Sequence, residues 1–166
     1  MEYDFGQQLQ AGEAGERALD AYFSQFYEIT VVLTREQKRD GIDRLFVGKR
    51  DRIRFSVEYK TDYLASKTGN CFIETVSMDT TDAPGWAVKS LAQVLVYYIP
   101  GWNRIYMLPM YVLKGALREW RQMYPEVASQ NNGYCTWGLK VPIEELAELS
   151  LCKQRQIPPM PESERT

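Results

Sequence analysis

Histidine is absent from this sequence of 166 residues, and its absence excludes several kinds of catalytic and metal site. Ser-His-Asp and Cys-His hydrolysis, zinc sites with imidazole ligands and histidine-based nuclease sites all need that side chain. Lysine, tyrosine and carboxylate groups must therefore supply any acid–base or metal chemistry.

Cysteine and long apolar runs are scarce as well. The three cysteines, Cys71, Cys135 and Cys152, are far apart and none has Cys-x-x-Cys spacing, so neither a zinc knuckle nor a disulfide framework is indicated. The N-terminal segment is acidic, unlike a signal peptide, and the longest apolar run, at 94–100, is too short to span a bilayer. We therefore expect a cytoplasmic protein without membrane contact.

Excess charge of one sign is missing too. The 20 basic and 22 acidic residues leave a formal net charge of −2, which excludes a chain-wide polycation but not a local basic face. Apolar residues make up 45% and charged residues 25%, as in an average soluble globular protein. The length predicts a single domain over 1–152, followed by a proline-containing tail, 153–166, that we expect to be loosely ordered.

Hydrophobic periodicity predicts a mixed α/β layer fold with the element order α-β-β-β-β-α-β-α-β-α. A charged loop is expected at 35–41, between the first two strands. The expected helices cover 10–26, 86–98, 112–124 and a short segment beginning at Pro142, and the expected strands cover 29–34, 42–47, 53–61, 71–78, 104–110 and 134–141.

The strand at 53–61 alternates between apolar and polar residues. Residues two apart on a strand point the same way, so Glu58 and Lys60 should lie side by side on its polar face. If the hairpin pairs across the turn at 48–51, Asp43 approaches Glu58, and two converging carboxylates favour a bound hard cation such as Mg²⁺, or Mn²⁺ in its place. A solvated ion pair is the simpler interpretation of Glu58 and Lys60.

Asp43 with Glu58-Tyr59-Lys60 resembles the bipartite D…(D/E)xK motif of the PD-(D/E)xK nuclease superfamily, which includes restriction endonucleases, junction resolvases and RecB-type exonucleases. The resemblance implies a restriction-endonuclease-like mixed β-sheet flanked by helices. It also implies that Asp43 and Glu58 bind Mg²⁺, that the Tyr59 carbonyl is an extra ligand, and that Lys60 assists the attacking water. Ile42 replaces the proline of the family motif, and Asp40 is an alternative to Asp43.

Flanking residues extend the resemblance. Glu16, on the first expected helix, is similar to an additional glutamate of the family, and is either a ligand or a paired helix residue. Gln93 and Tyr97 resemble the QxxxY element of RecB-type nucleases, although ordinary helix packing would give the same spacing. Glu74 either reaches the metal cluster or is an edge-strand charge.

Positive charge is concentrated in the segment 35–67, which has ten basic and six acidic residues. Within it, Lys49, Arg50 and Arg52 fall at the expected hairpin tip, where they could contact phosphates. Basic residues that only keep a strand edge soluble are the alternative.

These observations and the resemblance lead us to expect a Mg²⁺-dependent nuclease, favouring an endonuclease, that acts on DNA and works as a homodimer. The alternative is a catalytically inactive module of the same fold that binds DNA or a protein partner. Composition does not separate a DNA substrate from an RNA substrate.

Overall fold

The computed structural model describes residues 5–151 and 155–156. Its α-helices are α1 (Phe5–Phe23), α2 (Arg35–Arg39), α3 (Ala65–Thr68), α4 (Trp86–Lys89), α5 (Met110–Met123) and α6 (Ile143–Leu149). Its strands are β1 (Tyr27–Val31), β2 (Arg44–Gly48), β3 (Arg54–Thr61), β4 (Asn70–Met78), β5 (Ala83–Pro84), β6 (Val94–Ile99), β7 (Arg104–Pro109), β8 (Glu126–Gln130), β9 (Cys135–Pro142) and β10 (Arg155–Gln156).

The strands form two sheets. The first has the order β1-β2-β3-β6-β7-β10, in which β3 and β6 are parallel and all other neighbours are antiparallel. The second is antiparallel, with the order β5-β4-β9-β8. The predicted mixed α/β class, with helices flanking the sheet, is confirmed, but the strand expected at 71–78 belongs to a separate second sheet. Within the described residues, no helix is both long and apolar enough to cross a membrane.

Two apolar cores hold these layers together. Helix α1 covers one face of the first sheet, where its Leu19 and Phe23 pack with Phe46, Val57 and Tyr59. The opposite face of β6 and β7 packs with β4, β9, α5 and α6 in a second core, which includes Ile73, Leu95, Leu113, Leu139 and Leu146. Alternate residues of β3 therefore meet different surroundings, and this places the polar residues of that strand.

The helix expected at 86–98 is wrong. Only Trp86–Lys89 is helical, and the chain continues into the central strand β6, Val94–Ile99. This run is β-branched or aromatic at nearly every position and almost entirely buried, so it lacks the alternation that marks a half-buried strand. Gln93 and Tyr97 consequently do not share a helix face.

Other elements of the structure also differ from the sequence-based expectation. The segment expected as a charged loop contains α2, whose N-terminus is capped by Thr34. Strand β8 was not predicted, and the first helix ends at Phe23 rather than Phe26. Of the tail that begins at residue 153, only Arg155–Gln156 is described and pairs with β7; the remainder, and Cys152, lie outside the described residues.

We expect Phe46→Ala to lower the free energy of unfolding by about 3–5 kcal/mol, because Phe46 is fully buried under α1. Its strand neighbour Leu45 points to the other face and is 37% exposed, so Leu45→Ala should cost about 1 kcal/mol or less. Urea denaturation of both variants is the measurement. Equal losses would contradict the assignment of the two faces.

Candidate active site

Asp43 lies immediately before β2 and continues its ladder with the neighbouring strands. Its N–H donates to the Val57 carbonyl (2.9 Å), and its own carbonyl accepts from Val32 N–H (3.0 Å). Its side-chain Oδ2 accepts from Tyr59 N–H (2.8 Å). The backbone and one carboxylate oxygen of Asp43 are thus fixed beside β3.

Glu58 and Lys60 lie side by side on β3, on the face turned away from α1. Lys60 Nζ is 2.8 Å from Glu58 Oε1, and the two side chains are 31% and 3% exposed. Lys60 Nζ also lies 5.7 Å from the ring centroid of Trp86, at the start of α4. The ion pair is therefore largely enclosed, unlike the solvated pair considered above.

The second oxygen of this carboxylate, Glu58 Oε2, is buried and has no hydrogen-bond partner among the described residues. Ser90 is nearby, but the hydroxyl hydrogen of Ser90 is donated to the Gly41 carbonyl (3.1 Å). A buried acceptor without a donor costs free energy, and such groups in folded proteins usually have a ligand, ion or water to satisfy them.

The charges of these side chains are coupled. Burial raises the pKa of Glu58 above its ordinary value, although the Lys60 ammonium opposes the shift. Burial would lower the pKa of Lys60, but the carboxylates of Glu58, Asp43 and Glu74 outweigh it and raise the pKa. Lys60 is therefore positively charged at neutral pH and acts as a cation and hydrogen-bond donor.

Glu74 of β4 lies close enough to Lys60 for their charges to interact. Its Oε1 accepts from Trp86 N–H (3.1 Å), and burial raises the pKa of Glu74, opposed by the charge of Lys60. Of the two interpretations of this residue, a solvated edge-strand charge does not fit, because the Glu74 carboxylate is half-buried and held by the N–H of Trp86 in α4.

These carboxylate oxygens are the groups that a metal ion could use here. Among the described residues, no three Cys, Asp or Glu side chains are grouped closely enough to hold a metal by themselves. Mg²⁺ needs only one or two protein carboxylates, because water and phosphate oxygens complete its shell. Asp43 and the unpartnered Glu58 Oε2 fit that requirement. Gly41 leaves room for the Glu58 carboxylate itself, because a Cβ at position 41 would overlap Glu58 Oε2.

Glu16 does not join this group. Its Oε2 accepts from Arg44 Nη2 (2.7 Å), and the same guanidinium binds Asp20. Arg44 is buried on the α1 side of the sheet, with its guanidinium 5.2 Å from the ring centroid of Tyr59. Since Tyr59 and Glu58 alternate along β3, Glu16 lies on the face opposite the Glu58 carboxylate.

Gln93 and Tyr97 both make structural contacts. Gln93 Oε1 accepts from Ser56 N–H (3.0 Å), and Gln93 N–H donates to Ser56 Oγ (3.0 Å), so this residue extends the pairing of β3 ahead of β6. Tyr97 is buried, and its hydroxyl donates to Asp62 Oδ2 (2.6 Å). Gln93 lies just before β6 and Tyr97 lies within that strand, so their spacing of four residues does not mark a helix face.

The basic residues lie at the β2–β3 turn, as the sequence predicts. Lys49 Nζ donates to the Ser24 carbonyl (2.5 Å), Arg52 pairs with Glu28 (2.5 Å), and Arg50 is exposed. A cavity of about 340 Å³ lies on the adjoining sheet surface. It is lined by Thr30, Leu45, Phe46, Val47, Arg54, Phe55, Ser56 and Gln93.

Three further residues shape this site. Gly41, two residues before Asp43 in the motif that resembles the nuclease core, has a φ of +71°, where glycine is favoured because the backbone is left-handed. Ser90 and Trp86 gave no signal, because they reach Glu58 and Lys60 only through the folding of α4 against the first sheet.

No family model matches this chain, and no curated protein matches it. Among solved structures, it is similar to a bacterial homing endonuclease, I-Ssp6803I, at 18% sequence identity. The match covers 63% of this chain and 70% of the other, with a TM-score of 0.46. A likeness at this level establishes neither a family nor an activity for the chain.

We expect Gly41→Ala to destabilise the protein more than Gly69→Ala. Both glycines have a left-handed backbone, with φ of +71° and +70°, so alanine should cost each about 1–2 kcal/mol. A Cβ at Gly69 meets nothing within 4 Å, whereas one at Gly41 overlaps the buried Glu58 carboxylate and should add about 1–3 kcal/mol. Thermal or urea unfolding measures the difference.

A double-mutant cycle provides the control, since Glu58→Ala should remove the larger part of the additional loss caused by Gly41→Ala, the remainder coming from Ser90, which such a Cβ would also overlap. Equal losses for the two glycine variants would mean that the Glu58 carboxylate does not pack against Gly41.

Proposed function

We propose that this chain is a Mg²⁺-dependent nuclease that hydrolyses phosphodiester bonds in DNA, as the resemblance of Asp43 and Glu58-Tyr59-Lys60 to PD-(D/E)xK nucleases implies. The observation that supports this most strongly is the unpartnered, buried oxygen of Glu58 beside Asp43 and a charged lysine. A structural ion pair would not need a second carboxylate or an acceptor left without a donor.

Each residue has a distinct part in this proposal. Asp43 and Glu58 would hold the metal, with the Tyr59 carbonyl as a further ligand, and such an ion would supply Lewis-acid activation of the phosphate and of water. The ammonium of Lys60 orients the water and stabilises the negative charge that develops on the phosphate. The near-complete burial of Glu58 keeps competing solvent away from the metal-facing oxygen.

The DNA would lie along the cavity beside β2 and β3 and reach the turn that carries Lys49, Arg50 and Arg52. Gln93 lines this cavity with its side-chain amide, while its Oε1 is held by Ser56. Backbone phosphates are the expected partners of the basic side chains, because such contacts position a nucleic acid without reading its sequence. A homodimer would allow two such sites to act on two strands.

A second candidate function is a non-catalytic module that binds DNA or a protein. The ion pair between Lys60 and Glu58 Oε1 supports it, because one potential ligand oxygen is already occupied by the lysine. In that case Lys60 would neutralise the buried carboxylate permanently, and divalent ions would not affect the protein.

We expect cleavage of at least one substrate in a panel of circular, linear, single-stranded and branched DNA, with Mg²⁺ or Mn²⁺ and with RNA as comparison. Asp43→Asn and Lys60→Met should lower the cleavage rate by about 10²–10³-fold, because each removes a charge that acts in the transition state. Asp40→Asn, which changes a carboxylate three residues from Asp43, is the matched control and should cleave normally.

Thermal unfolding with and without the metal separates the two candidate functions. A native-state metal site stabilises the protein by about 2.7 kcal/mol at a hundredfold excess over Kd, and Asp43→Asn should abolish that gain. Absence of both cleavage and metal-dependent stabilisation would favour the binding module, and cleavage that survives Asp43→Asn and Lys60→Met combined would reject the assigned site.

We also expect Arg50→Ala to weaken DNA binding at every sequence tested and to reduce the slope of log K against log salt by about one. The exposed Arg50 lies at the β2–β3 turn, whereas the exposed Lys140 lies on β9 of the second sheet. Lys140→Ala is therefore the control, and fluorescence anisotropy over a salt series is the measurement. Equal slopes for both variants would place the DNA elsewhere.

A further inference from the structure

Four residues close a ring of hydrogen bonds on the α1 side of the first sheet. Arg44 Nε donates to Asp20 Oδ1 (3.0 Å), and Arg44 Nη1 donates to the Asp43 carbonyl (3.0 Å). The ring closes through Tyr59, whose hydroxyl donates to Asp20 Oδ1 (3.1 Å) and whose N–H donates to Asp43 Oδ2 (2.8 Å). Asp43, a proposed metal ligand, is thereby connected to α1.

The chemistry of the ring requires an arginine. Arg44 bonds Asp20 with two nitrogens and keeps a third for the Asp43 carbonyl, so the planar guanidinium spans helix and strand at once. It also lies over the Tyr59 ring, which fixes its plane. A lysine ammonium is a point charge and cannot hold these acceptors in one plane.

Stability alone is a weak reason for such an arrangement. Arg44 is only 6% exposed, and burying a guanidinium with two carboxylates costs about as much in lost hydration as the ion pairs return. An apolar residue at position 44 would pack against α1 without this cost. The geometric result of the ring is the orientation of Asp43.

We propose that Arg44, together with Asp20 and Tyr59, is a positioning group that orients the Asp43 carboxylate toward Glu58. This inference rests on the proposed function. Arg44 lies on the opposite face of the sheet from Glu58, so it touches neither metal nor DNA and acts only through Asp43. The ring fixes the carbonyl and Oδ2 of Asp43, which would leave the other carboxylate oxygen for the metal.

The test compares Arg44→Lys, Tyr59→Phe and the wild-type protein in two measurements. The first is the Mg²⁺ or Mn²⁺ concentration that gives half of the metal-dependent rise in Tm, and the second is kcat and KM for the cleaved DNA. We expect Arg44→Lys to raise the half-point about 10–100-fold, as loss of a group that orients a metal ligand does. It should lower kcat while KM for DNA stays unchanged.

Tyr59→Phe removes only the hydroxyl link to Asp20 and should shift both quantities in the same direction by a smaller factor. If Arg44→Lys does not fold, Tyr59→Phe by itself tests whether the ring positions Asp43. Glu13→Gln is the matched control on α1, since Glu13 is exposed and pairs only with Arg17 among the ion pairs of the described residues; its half-point and kcat should equal those of the wild type.

Two outcomes would overturn the inference, and they differ. A lower metal-free Tm with unchanged metal half-point and kcat in both variants would make the ring a brace for α1 and leave the nuclease proposal intact. A wild-type protein without metal-dependent stabilisation or cleavage would reject the nuclease proposal and this inference with it.

Discussion

The buried carboxylate of Glu58 is the constraint on which the surrounding structure depends. A carboxylate that is 2% exposed must be matched by charge and hydrogen bonds, and Lys60 matches only one of its oxygens. Ser90 and Gly41 pack near the other oxygen, and the Ser90 hydroxyl donates to the Gly41 carbonyl. A purely structural core would more readily hold an apolar residue at this position, so the unmet acceptor is a local cost in stability, and such costs are common at the functional sites of proteins.

The alternation of β3 places this carboxylate. Val57 and Tyr59 pack under α1, whereas Glu58 and Lys60 lie on the other face, where Lys60 contacts Trp86 of α4. The antiparallel pairing of β2 with β3 brings Asp43 to the same end, with its Oδ2 on Tyr59 N–H. Strand β3 thus separates two sets of side chains. The apolar residues and the buried Arg44 lie on the α1 side, and the proposed catalytic residues Glu58 and Lys60 lie on the other side.

Three of the ten basic residues in the segment 35–67 form ion pairs with carboxylates of the described residues. Arg44 is buried against Asp20, Lys60 is paired with Glu58, and Arg52 is paired with Glu28. These basic residues neutralise carboxylates of the fold itself. The exposed Arg50 and Arg54, near the cavity beside β2 and β3, are among the basic residues that would contact phosphates in the proposed function.

The sequence by itself determined the parts that depend on local periodicity: the mixed α/β class, the β2–β3 hairpin and the neighbouring positions of Glu58 and Lys60. It did not determine β6, because a strand buried on both faces has no alternation to distinguish it from a helix. Nor did it determine the partner of Glu16, since Arg44 lies 28 residues away in the chain. Only the tertiary structure decided these features, because packing between distant elements selects the face and the partner of each polar group.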